Sequence, residues 1–97
     1  MPTWDAKMET VYYDATPANE HQDCKVRIDD NGDIVVSYED DVGLTIYRGQ
    51  DHGYGHYKLE CPELRGKATL HRMEDSRFLE GYWIEKGARG FWKIILP

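Results

Sequence analysis

A chain of 97 residues and 11.3 kDa has room for one domain and a thin core. Seven Tyr, three Trp and two Phe are too many aromatics for a disordered chain, and 31% charged residues are too many for a membrane one. The net charge of −6 is concentrated in residues 1–48, where four Lys/Arg face eleven Asp/Glu, which argues against a nucleic-acid backbone as partner. A basic patch at Arg65, Lys67, Arg72 and Arg77 is diluted by Glu63, Glu74 and Asp75.

Strand periodicity dominates the chain. Residues 3–8 suggest a short helical turn started by Thr3, followed by a strand over Glu9–Asp14 with Val11 and Tyr13 facing in. Ala15–Gln22, with Pro17 and Asn19, reads as a connection. Next, Cys24, Val26 and Ile28 alternate with Lys25, Arg27 and Asp29. Ile34, Val36 and Tyr38 repeat the pattern after Asp30-Asn31-Gly32. A three-residue loop with Gly32 left-handed pairs Ile28 with Ile34 and Val26 with Val36; a two-residue turn would set an inward residue against an outward one.

After the break at Asp40-Asp41-Val42-Gly43, Leu44 and Ile46 are expected to face in. Tyr57, Leu59 and Cys61 follow the loop Gln50-Asp51-His52-Gly53, and Ala68 and Leu70 follow Pro62–Gly66. The last hairpin carries Leu79, Gly81 and Trp83 on one strand and Trp92, Ile94 and Leu96 on the other. A turn at Gly87-Ala88 would set Trp83 opposite Trp92, Gly81 opposite Ile94 and Leu79 opposite Leu96. The pattern predicts a single all-β domain over residues 1–97: an antiparallel up-and-down meander of about seven to eight short strands, closed or nearly closed into a small barrel. Its expected core is Val26, Ile28, Ile34, Val36, Tyr38, Leu44, Ile46, Tyr57, Leu59, Leu70, Leu79, Trp83, Trp92, Ile94 and Leu96.

Gly66-Lys67-Ala68-Thr69-Leu70-His71-Arg72, Leu79–Trp83 and Gly87–Ile94 together resemble a group of small uncharacterised bacterial all-β proteins, a resemblance covering about a third of the chain. The Gly-x-Trp elements Gly81-Tyr82-Trp83 and Gly90-Phe91-Trp92 are also similar to those of lipocalin and avidin-type barrels. That similarity implies a ligand in the barrel mouth.

No nucleophile stands in a catalytic context: Ser37 and Ser76 lack the Gly-x-Ser-x-Gly surroundings, and no glycine-rich loop introduces a helix for phosphates. Asp29-Asp30-Asn31-Gly32-Asp33 lacks the ligand spacing of a calcium loop and reads as a turn. Glu80 and Glu85 read as solvated. His52 and His56, with Asp51 beside the first, are the candidate metal ligands, a third coming from His71 or His21. Tyr38, Tyr57, Trp83 and Trp92, all expected inward, are the candidate ligand-binding set. Tyr12, Tyr47, Tyr82 and Phe91, expected outward, are the candidate partner surface.

Cys24 and Cys61 fall on apolar faces and form no metal or redox motif. The opening residues Met1-Pro2-Thr3-Trp4-Asp5 lack the basic and apolar regions of a signal peptide, so a reducing cytoplasmic compartment and free thiols are expected. Three function classes follow. A non-enzymatic protein-interaction module comes first, then a barrel binding a small apolar or aromatic molecule, then a metal-dependent enzyme built on the His52/His56 loop. No cofactor, nucleic-acid partner or membrane partner is expected.

Overall fold

The computed structural model describes residues 3–41 and 43–97. Met1, Pro2 and Val42, the last assigned above to the Asp40–Gly43 turn, lie outside them. Eight antiparallel strands run in chain order: β1 (Thr3–Tyr12), β2 (Asn19–Ile28), β3 (Asp33–Asp40), β4 (Gly43–Asp51), β5 (His56–Cys61), β6 (Gly66–His71), β7 (Phe78–Glu85) and β8 (Ala88–Ile95). A 3₁₀ turn, Pro62–Leu64, joins β5 to β6. Each strand pairs with the next, and β1 pairs with β8, so the meander closes into a barrel without a free edge.

Alternation builds the interior directly. Val26, Ile34, Val36, Leu59, Leu70, Leu79 and Ile94 are all 0–1% exposed. The β2–β3 connection has the predicted register, Ile28 opposite Ile34 and Val26 opposite Val36, with Gly32 at φ +91°. Both cysteines are free and buried.

Ala15–Gln22, expected as a connection, gives Asn19–Gln22 to β2, and three further expectations are corrected. The first concerns the start of the chain, where Thr3 opens a strand and not a helical turn. Trp4, Ala6, Met8, Thr10 and Tyr12 take the inner face, leaving Val11 and Tyr13 exposed. The opposite parity would have buried Asp5, Lys7 and Glu9 to gain two side chains, and uncompensated charge burial costs far more than that gain.

The second concerns β4. Asp40 pairs with Gly43, which makes inward Tyr38 face Thr45 and inward Val36 face Tyr47. Thr45 and Tyr47 are therefore buried, Leu44 is exposed and Ile46 lies half-buried on the outer face. Register is set by the length of the connection here, and the aliphatic pair Leu44/Ile46 yields to it.

The third concerns the last hairpin. Its two turn residues are Lys86 and Gly87, both at positive φ (46° and 87°), as the tight hairpin turn of matching twist requires. The register is then Leu79 opposite Ile94, Gly81 opposite Trp92 and Trp83 opposite Gly90. This differs from the expected pairing by two residues, so every side chain keeps its face. Each tryptophan now faces a glycine. The indoles become diagonal neighbours, stacked at 6.2 Å between centroids with 30° between planes.

Trp83 and Trp92 are 3% and 2% exposed, and replacing either by Ala should cost about 3–5 kcal/mol in chemical denaturation. A Cβ on Gly81 would lie 1.6 Å from the Thr69 carbonyl oxygen, an immovable neighbour, so Gly81→Val should destabilise at least as severely. Parent-like melting of these variants would contradict the packing.

Candidate functional site

The two ends of the barrel differ. At the end holding Thr3, Ile28, His56 and Ile95, the interior is sealed. The Arg72 guanidinium lies 5.7 Å from the Trp4 ring centroid and its Nε–H donates to the Ser76 carbonyl at 2.7 Å. Arg77 Nε–H donates to the Leu96 carbonyl at 3.2 Å, and Leu96 N–H returns a bond to Arg77 O at 2.7 Å.

The opposite end, reached by Tyr12, Asp40 and Glu85, holds a hollow of about 210 Å³. Thr10 and Tyr12 of β1, Tyr38 of β3, Trp83 and Glu85 of β7 and Trp92 of β8 line it, with Asn19, Gln22, Asp40 and Ala88 at its rim. Tyr12 and Trp83 meet edge to face at 5.3 Å, and Trp92 takes Tyr38 and Tyr47 edge-on at 6.2 and 4.9 Å. Glu85, on the inner face of β7, accepts a 2.5 Å hydrogen bond from the Tyr47 hydroxyl. Trp83 Nε1–H is buried and, among the described residues, has no hydrogen-bond partner. A buried donor left unmade costs about 1–3 kcal/mol.

A larger hollow of about 930 Å³ adjoins this one, sharing Asn19, Gln22, Tyr38 and Asp40 with it. It is an open groove over β1–β3 walled by charged side chains, where Lys7 pairs with Asp23, and Lys25 with Asp5 at 3.4 Å. These pairs are exposed, already satisfied and exchange readily with water. The small hollow is the better candidate because it combines buried rings with an unspent donor.

The predicted ligand-binding set is thereby divided. Tyr38, Trp83 and Trp92 converge on the hollow, whereas Tyr57 is buried at the sealed end, facing Asp51 across β4–β5. The predicted outward set is divided too. Tyr12 turns in against Trp83, and Tyr47 is fully buried with its ring against Trp92. Tyr82 and Phe91 do face out, directly opposite each other, with Val11 beside Phe91. Glu85, read from the sequence as solvated, is half-buried at the mouth. Its place follows from the alternation Leu79, Gly81, Trp83, Glu85, carried one residue pair further.

His52 and His56 are joined through their backbones, His52 N–H donating to His56 O at 2.7 Å. The His56 ring instead meets His71, with 2.5 Å between their Nδ1 atoms. Among the described residues, no three His, Cys, Asp or Glu side chains gather as a metal-holding set. The Asp29–Asp33 segment is a turn: Asn31 Oδ1 accepts from Asp33 N–H at 3.1 Å, and Asp29 takes the Arg27 guanidinium at 2.9 Å.

Comparison with family models, with curated proteins and with solved structures finds no match. The residues alone therefore carry any reading of the site.

Burial pushes the Tyr47 and Tyr38 hydroxyls above their ordinary value of 10.0, the Glu85 charge adding to both, although the Tyr38 hydrogen bond with Thr45 opposes the rise. Burial also pushes the Cys24 thiol from 9.0 up to about 12. In the unfolded chain these groups release their protons at ordinary values, whereas the folded barrel retains them. Folding stability should accordingly fall as pH rises from about 9 to 12. Tyr47→Phe should flatten that alkaline loss while costing about 1–3 kcal/mol at neutral pH, where Glu85 loses its donor. Urea unfolding of both proteins across that pH range measures the two effects.

Proposed function

We propose that this chain is a non-enzymatic binding barrel whose mouth receives one small, planar molecule. The observation that carries this reading is the partnerless Trp83 Nε1–H at a hollow walled by Trp92, Tyr12, Tyr38 and Glu85. A volume of about 210 Å³ corresponds to roughly seven waters, or to a single substituted ring. The ring walls favour a flat aromatic or conjugated body. The indole N–H calls for an acceptor on the ligand, and the Glu85 carboxylate for a donor. A ligand in the mouth is also what the lipocalin- and avidin-like Gly-x-Trp elements imply.

Titrating a panel of one-ring compounds against tryptophan fluorescence, with thermal shift in parallel, should find saturable binding. Trp83→Phe keeps a ring but removes the donor, and should weaken a true mouth ligand about tenfold or more, a loss of about 1.4 kcal/mol. Glu85→Gln should weaken donor-bearing compounds selectively. Unchanged affinity in both variants would place the ligand elsewhere.

A second reading keeps the protein-interaction module. Val11, Phe91 and Tyr82 form one row across β1, β8 and β7 on the outer face, and Val11 and Tyr82 are 43% and 45% exposed. Such a strip suits the centre of a protein contact. Paired substitution of Phe91 and Tyr82 by Ser should then abolish capture of a partner that the parent retains, with the fold unchanged. We place the protein in a reducing bacterial cytoplasm; two buried free thiols support this, and no helix of the described residues is long and apolar enough to cross a membrane.

A further inference from the structure

On the outer wall, far from the mouth, one transverse row crosses five strands. His56 of β5 faces His71 of β6, which faces Glu80 of β7, which faces Lys93 of β8, which faces Glu9 of β1. The two imidazoles are exposed, stand nearly perpendicular at 83°, and bring their Nδ1 atoms to 2.5 Å. With one ring carrying its proton on Nδ1 and the other a free Nδ1 lone pair, the tautomers setting the direction, the two hydrogen-bond, and both nitrogens address the same point in space. Lys93, the natural partner of Glu80, lies with its Nζ 5.0 Å from the Phe78 ring centroid. Among the described residues, no hydrogen bond or ion pair engages the Glu80 carboxylate.

We infer that His56 and His71 form a two-nitrogen site for a divalent transition-metal ion, with water completing the shell. This site is independent of the mouth. Neutral imidazole is the usual ligand of zinc, nickel and copper ions. Zinc binds such nitrogens at about 2.0–2.1 Å, which sets two of them about 3.3 Å apart around a tetrahedral ion. The pair need open by less than about 1 Å from its present contact, a small side-chain rotation with the backbone fixed.

Antiparallel pairing already holds the two Cβ atoms about 4.5–5.5 Å apart, so little ordering is left for the ion to impose. The proton balance is simple. In the neutral pair the hydrogen-bonding proton moves from Nδ1 to Nε2 of the donor ring, freeing both Nδ1 lone pairs for the metal and releasing no proton to solvent. The site differs from the loop pair His52/His56: it spans two strands, and His52 takes no part.

Isothermal titration of the folded protein with Zn²⁺ and, separately, Ni²⁺ tests this, with thermal unfolding alongside. The parent should bind one ion per chain and melt higher in its presence, because the ion stabilises only the folded pairing. His56→Gln and His71→Gln should each weaken binding at least tenfold and remove the thermal shift. His52→Gln, His21→Gln and Glu80→Gln should leave both unchanged. Retention of parent affinity by His71→Gln would overturn the site. So would loss of binding in His52→Gln, or a parent that binds no more tightly than the His56→Gln/His71→Gln double variant.

Discussion

The largest rings of this narrow barrel depend on glycines for their space. A Cβ on Gly90 would lie 2.7 Å from Trp83 Cζ2, and one on Gly66 would lie 2.2 Å from the Tyr47 hydroxyl. Gly81 faces Trp92 in the same hairpin. These glycines are missing walls as much as residues. The absent side chains of Gly90 and Gly66 provide the volume into which Trp83 and Tyr47 fold, at the usual cost of glycine in a strand. Without that arrangement, the packing that replaces a large aliphatic core would have no space.

The same constraint shapes the mouth. Trp83, Trp92, Tyr38 and Tyr12 lie towards one end, while Trp4, Tyr57 and the arginine-stitched loops occupy the other. Rigid rings pack with gaps that flexible aliphatic chains would fill, so the first end retains a hollow. Glu85 fits there because the Tyr47 hydroxyl reaches it from the core, anchoring a carboxylate that burial alone would disfavour. One end is thereby stable and closed, and the other is built of groups with hydrogen-bonding capacity to spare.

The fold class was legible because alternation at period two runs through the strands, and the β2–β3 register followed from face matching alone. What escaped was parity wherever both faces offered apolar candidates. In β4, Leu44/Ile46 and Thr45/Tyr47 compete, and only the length of the connection decides. In β1, Val11 and Tyr13 drew attention from Trp4, Ala6 and Met8, although the charges at Asp5, Lys7 and Glu9 point the other way. The mouth was half-legible for the same reason: Tyr38, Trp83 and Trp92 sit on unambiguous strands, while Tyr12 and Glu85 needed parity carried to a strand end. The His56–His71 contact joins residues on adjacent strands, and spacing along the chain carries no sign of it.

Seven of the eight strand pairings join neighbours in sequence, and the eighth joins residue 7 to residue 95. During synthesis the first strand therefore waits, with one edge unpaired, until residues 90–95 have emerged. The last strand presents the complementary edge only at that moment. Such a chain completes its barrel late and in one step, with a slow, non-local closure. Before then, two growing copies could each offer the other what it lacks, and an exchanged final strand would pair as well as the chain's own.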